Sequence, residues 1–186
     1  MIHPRTELRF VHTAIGVGIY ASRPIARGTL TWVLDPLDRR LTPAAAAALP
    51  AHYHPLVEKY SFRDAGGNFI LCWDHARYVN HSCDPNCAGT RHGFDVALRD
   101  IAPGEQLTND YGTLNLLPHE AFACNCGAAT CRGWITPEDP GAERKRARES
   151  SFAAALAGLG KVEQPLWELA PQGTIAQLLK GVTGDK

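Results

Sequence analysis

The stretch Tyr78-Val79-Asn80-His81-Ser82-Cys83-Asp84-Pro85-Asn86-Cys87 decides how the rest of the chain is read, because of what lies downstream of it. Cys124, Cys126 and Cys131 stand in a C-x-C-x4-C spacing with no local fourth partner. A structural zinc site closes with four tetrahedral ligands, so three thiolates leave it one short. Cys83 supplies the fourth if the tail folds back onto the Asn-His-Ser segment, with Cys87 as the alternative. One Zn2+ then joins a polar pocket to the later part of the chain. The segment from Cys124 to Ile135 is too short and too rich in small residues to order itself by burial. Metal binding, worth roughly 10–16 kcal/mol in small zinc peptides, can order it. Cys72 sits inside a strand pattern and reads as a small buried hydrophobe.

At 186 residues and 45% hydrophobic content the chain supports one good core. Its 19 basic and 19 acidic residues balance, so no global charge directs it to nucleic acid or to a membrane surface. Neither partner is expected; composition leaves the oligomeric state open. Met1 to Glu7 carries no apolar signal segment, and six cysteines then fit a reducing compartment. The expectation is a cytoplasmic protein of a bacterium, or a nuclear one in a eukaryote.

Leu8 to His12 reads as a strand, Gly16-Val17-Gly18 interrupts it, and Ile19 to Ala21 resumes it. The turn Pro24-Ile25-Ala26-Arg27-Gly28 followed by Thr29 to Leu34 suggests a hairpin. Thr42-Pro43 opens a short alanine helix that Pro50 stops. Asn68–Trp73 and Phe94–Arg99 are further strand candidates, the second ending in the turn Ala102-Pro103-Gly104-Glu105. Pro118 to Phe122 fits one helical turn. After Pro137 the composition shifts: Glu138–Leu159 reads as an amphipathic helix, and Thr174–Lys180 as another that Gly181 stops. The basic cluster Arg144, Lys145, Arg146 and Arg148 reads as a solvated helix face.

Four segments in order resemble the SET-domain family of protein lysine methyltransferases. They are Ile15-Gly16-Val17-Gly18-Ile19-Tyr20-Ala21, Arg77-Tyr78-Val79-Asn80-His81-Ser82-Cys83, the run from Ile101 through Gly104-Glu105-Gln106-Leu107-Thr108-Asn109-Asp110-Tyr111-Gly112, and Cys124-Asn125-Cys126 through Cys131-Arg132-Gly133-Trp134-Ile135. The last is similar to the family's post-SET zinc element, as found in compact, bacterial-like members. The resemblance implies a mainly β fold of small sheets around a knot-like crossing, in which the Asn-His-Ser and Asp-Tyr segments thread past each other. Residues 8–117 then form the SET domain, 118–136 the zinc element and 137–186 a helical C-terminal extension. It also implies S-adenosylmethionine on one face, a lysine-bearing protein or peptide on the other, and a narrow channel between them. For zinc it favours Cys83, with Cys124, Cys126 and Cys131.

Carried over by position, the resemblance makes Tyr111 the catalytic tyrosine. Gly16, Val17, Gly18, Tyr78, Asn80, His81, Tyr111 and Trp134 are then the cofactor-binding set. Gly16 and Gly18 let backbone approach the cofactor, Asn80 accepts from its ammonium, the His81 backbone pairs with the adenine edge, and Trp134 covers that ring. Arg77 and Tyr78 read as structural or channel-lining. The chemistry fits these residue types. Deprotonating a lysine at pH 7 costs about 4.6 kcal/mol. An apolar channel and a neighbouring sulfonium reduce that cost, since full burial shifts a lysine by roughly 3–5 units. In-line displacement then rests on alignment.

The chain departs from the family at Asn109, where tyrosine or phenylalanine is usual and where the number of methyl groups is influenced. The smaller amide leaves room for a methylated amine but can also hold a water that restricts turnover; more than one transfer is the expectation. The cysteine-rich element that precedes SET in many histone enzymes is absent, and the insert from Asp35 to Ser61 is compact. A catalytically silent module that binds peptide or cofactor is the competing function, argued against by the intact Tyr111. A thiol enzyme built on Cys83 and His81 is set aside because adjacent residues of an extended segment point to opposite faces.

Overall fold

Glycine and proline punctuation cuts the first two thirds of the chain into short extended segments. In the computed structural model, which describes residues 1–90, 92–114, 116–137 and 142–183, these pair into small two- and three-stranded sheets. β1 (Thr6–His12) and β2 (Gly16–Ala21) form an antiparallel ribbon. The expected hairpin after Gly28 does not form with β2. Instead β3 (Leu30–Val33) pairs with β9 (Phe94–Ala97), whose other edge takes β8 (Cys87–Gly89). All four β3 residues are buried. A strand apolar on both faces needs cover on both, which the half-exposed β1–β2 ribbon does not provide.

A second three-stranded sheet places β6 (Phe69–Leu71) between β4 (Arg39–Leu41) and β5 (Ser61–Arg63). Helix α1 (Pro43–Ala47) begins where Thr42 Oγ1 accepts from the Ala45 N–H at 3.1 Å. Helix α2 (His54–Tyr60), absent from the sequence reading, packs Val57 against Leu41 and Ala46. Its seven residues are too few for a helical period to stand out.

The short strands β7 (Asn80–His81) and β10 (Thr108–Asn109) run parallel, Asn80 opposite Thr108 and His81 opposite Asn109. The Ser82 N–H extends the ladder to the Asn109 carbonyl at 3.0 Å. This pairing sets the Asn-His-Ser and Asp-Tyr segments side by side. Antiparallel β11 (Phe122–Ala123) and β12 (Trp134–Ile135) close the cysteine-bearing loop at its base.

The C-terminal segment completes the main core. Leu156 and Leu159, at the end of α3 (Ala142–Gly158), and Ile175 of α4 (Gln172–Thr183) pack with Leu166 on Leu30, Val33 and Phe94. Four buried aliphatic side chains contribute about 1.5–3 kcal/mol each. Gln164 fastens the same segment: its amide donates to the Gly28 and Leu159 carbonyls and accepts from the Leu30 N–H, all at 2.8 Å. The expected start of α3 at Glu138 lies outside the described residues. Helix α4 runs through Gly181 rather than stopping there, since one glycine costs a helix only about 1 kcal/mol.

Candidate active site and metal cluster

Tyr111 sits where a 3-10 turn follows β10, with Asp110 capping that turn by accepting from the Gly112 N–H at 3.0 Å. Its hydroxyl donates to the Val79 carbonyl at 2.6 Å. Burial pushes the phenol up to about 12, so it is neutral. With its one proton committed to Val79, the oxygen keeps its lone pairs for a second partner. The ring borders a cavity of about 670 Å3 whose walls include Tyr60, Phe62, Val79, Leu107, Leu114 and Phe122.

That cavity is not the uniformly apolar channel the sequence suggested. Asp95 and Asn109 also line it, the Asn109 amide donating to the Asp95 carboxylate at 2.7 Å. Burial drives the Asp95 carboxyl up to about 7 against that hydrogen bond. Desolvation thus suppresses much of its charge at neutrality. The sequence carried a signal for Asp95, an acidic residue within the apolar strand Phe94-Asp95-Val96-Ala97, but none for its partner.

On the neighbouring face Asn80 donates its amide N–H to the Val17 carbonyl at 3.0 Å, leaving its oxygen as an acceptor. Gly16 has φ +88° and open space where a side chain would stand. Gly18 differs from its expected role: a Cβ there would meet Gln106 at 2.3 Å and Asn80 at 2.8 Å, so the chain's own side chains fill that space. Trp134 is 56% exposed and presents its indole on the tail. Tyr78 packs edge-on against Tyr60 and on the cluster around Ile19, and Arg77 hydrogen-bonds the Asp74 and Trp73 carbonyls. Arg77 also lines the cavity, whereas Tyr78 packs into the turn beneath it.

The cysteine cluster assembles across the fold. Cys83, Cys124 and Cys126 lie with a His81 ring nitrogen within 4.8 Å of one another, and the Cys131 thiol hydrogen-bonds to Cys124 and Cys126. His81 therefore enters as a competing fourth donor. Its bonding decides against it. The Tyr111 N–H donates to His81 Nδ1 at 3.1 Å, and burial lowers the ring to about 4, leaving it neutral. A neutral imidazole that accepts at Nδ1 carries its proton on Nε2. That N–H points at Cys83 Sγ, 3.4 Å away. His81 thus donates to the sulfur, leaving Cys83, Cys124 and Cys126, with Cys131 bonded to two of them, as candidate donors for a metal. Cys87 is buried elsewhere, with the Ile19 cluster.

The contact between His81 and Cys83 overturns the geometric objection to their meeting. They are two residues apart, and alternate positions of an extended segment share a face. Cys83 is buried and surrounded by thiols, which suits a ligand and not a nucleophile. For Cys126, burial opposes ionisation, yet the Cys83 and Ala128 backbone N–H groups and the neighbouring thiols bring it down to about 6. Clustered sulfurs with N–H donors aimed at them are suited to holding a soft divalent cation such as Zn2+.

Two arginines, Arg132 and the Arg144 that read as part of a solvated helix face, tie this cluster to its surroundings. Arg132 pairs with Asp110, next to Tyr111, and its backbone N–H donates to Cys83 Sγ at 3.3 Å. Arg144, from the basic run of α3, donates to the Cys83 carbonyl at 3.0 Å and to that of Thr130 at 3.2 Å. Lys145 and Arg146 are exposed, as expected.

The SET domain family model matches residues 16–112, which include β2, β7, β10 and Tyr111. Histone-lysine N-methyltransferase Set2 of Drosophila melanogaster is 40% identical over 84 residues, covering 41% of this chain and 4% of that protein. An H3 lysine-4 specific histone-lysine N-methyltransferase of Cryptococcus neoformans is 32% identical over 147 residues, 70% of this chain and 10% of the relative. Human histone-lysine N-methyltransferase 2D is 30% identical over 131 residues, 64% of this chain and 2% of the relative. The chain thus spans a tenth or less of the length of these relatives. With more than half of its residues inside the family match, and with the paired β7 and β10 segments at its centre, the chain belongs to the SET-domain family.

Proposed function

We propose that this chain is an S-adenosylmethionine-dependent protein-lysine N-methyltransferase whose target amine enters the cavity beside Tyr111. One observation carries the reading: the Tyr111 hydroxyl, its proton spent on Val79, presents lone pairs at the wall of a cavity wide enough for an alkylamine. The names of the relatives, all histone-lysine N-methyltransferases, support the substrate class.

The residues present fit the cofactor. Asn80 offers an outward acceptor to an ammonium, the space before Gly16 is open, and the exposed Trp134 indole suits an adenine. When bound, S-adenosylmethionine would supply an electrophilic methyl group to an amine that has already given up its proton. The chain's part is alignment and charge. Tyr111 orients the amine through its lone pairs, and as a neutral phenol it adds no competing charge. Phe62, Leu107 and Phe122 exclude water from the alkyl stem and disfavour the ammonium form. Cys83, Cys124, Cys126 and Cys131 would hold Zn2+, which orders the tail carrying Trp134. Thiol ligands of this kind belong in a reducing compartment.

Incubating the zinc-loaded chain with methyl-labelled S-adenosylmethionine and a proteome tests the reading. Label on lysine is expected. Tight cofactor binding with no transfer to any protein would favour a silent binding module instead.

A further inference from the structure

The ribbon that carries Gly16 and Gly18 has one edge without a partner. On β2 the backbone groups of Ala21 and Ile19 point away from β1: Ala21 donates to the Glu105 carbonyl at 2.9 Å and accepts from the Gly104 N–H at 2.7 Å, and the Ile19 carbonyl accepts from the Leu107 N–H at 2.8 Å. Opposed residues of an antiparallel pair turn their backbone groups either toward each other or both away. Thr6 stands opposite Ala21, Leu8 opposite Ile19 and Phe10 opposite Val17, so the N–H and C=O groups of all three face outward from β1. Among the described residues none of these backbone groups hydrogen-bonds. The side chains at this edge are apolar and open to water, Leu8 by 38% and Phe10 by 66%. From Thr6 to Phe10 neither a proline nor a bulge guards the edge, which makes it a template for another strand.

We propose that this edge pairs with the same edge of a second copy of the chain, antiparallel, with Leu8 on the two-fold axis. Only outward-facing residues can oppose one another in the new ladder, so the strands slide past each other in steps of two. With Leu8 opposite the second copy's Leu8, Thr6 faces the second copy's Phe10, and each of the three opposed pairs exchanges two N–H···O bonds. A slide of two residues either way keeps only two of those pairs. The same alignment sets Glu7 opposite the second copy's Arg9 and Arg9 opposite its Glu7, on the other face of the sheet. The slid alignments set Glu7 against Glu7 or Arg9 against Arg9. Hydrogen bonding and charge therefore select one register, a self-complementarity that pairing with a foreign strand does not require. Leu8 then meets its own copy between two Phe10 rings, and the two ribbons become one four-stranded sheet with an isologous interface. The far edge of β2, where the Val17 carbonyl accepts from the Asn80 amide, stays untouched, so each copy keeps its own site.

Sedimentation equilibrium of the zinc-loaded chain tests this. The wild type should pass from monomer to dimer between about 1 and 500 µM, the range of a small interface. Arg9→Glu and Glu7→Arg each set like charges opposite one another on both sides of the axis, and each should weaken the dimer by about tenfold or more at low salt. An equimolar mixture of the two variants restores opposite charges, so the mixed dimer should form with about the wild-type affinity. Leu8→Pro removes an outward N–H and leaves the bonds between β1 and β2, and it should stay monomeric.

Amide hydrogen exchange followed by NMR locates the contact. Exchange at Thr6, Leu8 and Phe10 should slow as concentration rises, whereas Arg9, whose backbone already faces β2, should not change. A wild type that remains monomeric throughout would overturn the proposal. So would a dimer that survives in Arg9→Glu or Leu8→Pro, a mixture of the charge variants that fails to associate, or slowed exchange confined to other residues. If a variant does not fold, the wild-type sedimentation and exchange pattern still decide.

Discussion

Replacing Tyr111 with phenylalanine separates chemistry from scaffold more cleanly than any other single change. The substitution removes one hydroxyl and nothing else: the backbone N–H bond to His81 Nδ1 remains, as does the edge-on contact of the ring with Phe122. Stability loses the hydrogen bond to Val79, worth about 1 kcal/mol net, with up to about 3 if the carbonyl finds no other donor. The rate loses more. A positioned polar group that acts on the reacting centre is worth about 10²–10³ in turnover. Tyr111→Phe should therefore unfold in urea within about 1–3 kcal/mol of the wild type and bind S-adenosylhomocysteine with similar affinity by calorimetry. Its transfer of labelled methyl to protein should fall by at least about a hundredfold. Activity within about fivefold of the wild type would refute the role assigned to the hydroxyl. Loss of cofactor binding in step with activity would show instead that the hydroxyl supports the fold.

Three other outcomes follow from the same contacts. Under a competing chelator, Cys131→Ser should lose stoichiometric zinc by mass spectrometry, whereas His81→Gln, removing the N–H donor to Cys83 Sγ and the acceptor of the Tyr111 N–H, should weaken it by about 10–100-fold at most; the reverse order would make His81 a ligand. Gly28→Ala should destabilise the chain by more than about 2 kcal/mol in urea, because it combines left-handed backbone strain at φ +85° with a Cβ 2.8 Å from the Ala155 carbonyl of α3; a loss below about 1 kcal/mol would mean that α3 is not packed there. Asp95 and His3 should tilt the pH dependence in opposite directions. Native Asp95, raised from 3.8 to about 7, keeps a proton the unfolded chain has lost, so its contribution falls as pH rises through that window, by about 4 kcal/mol at most, and Asp95→Asn should gain on the wild type across it. His3, lowered by burial from 6.5 to about 4, refuses a proton the unfolded chain accepts, so stability rises with pH between those values, and His3→Gln should flatten that limb.

The parts of the site legible in the sequence are those whose chemistry is written in local spacing. The C-x-C-x4-C run demanded an outside ligand, and Cys83 is where the tail returns. Glycine and proline turns delimited most strands, although not which strand β3 would join, because partner choice depends on burial of both faces and leaves no local mark. Asn109 stood out only as a departure, and Asp95 only as a charge within an apolar strand. Their meeting requires β9 and β10 to converge on one cavity, a long-range fact of the fold. Arg144 was misjudged for a related reason. A basic side chain on a polar segment usually faces solvent, and only the tail's return supplies the Cys83 and Thr130 carbonyls that draw it inward.

The tail does more than cover a cleft, because both of its polar connections to Tyr111 begin at one sulfur. From Cys83 Sγ one route runs through the His81 Nε2–H, across the ring, to Nδ1 and the Tyr111 N–H. The other runs through the Arg132 N–H, along that residue to its guanidinium, and to the carboxylate of Asp110 beside Tyr111. Each route holds a different part of the same turn, the first the tyrosine's own backbone and the second its capping aspartate. Whatever fixes Cys83 Sγ in place therefore anchors, through both routes, the turn that carries the phenol.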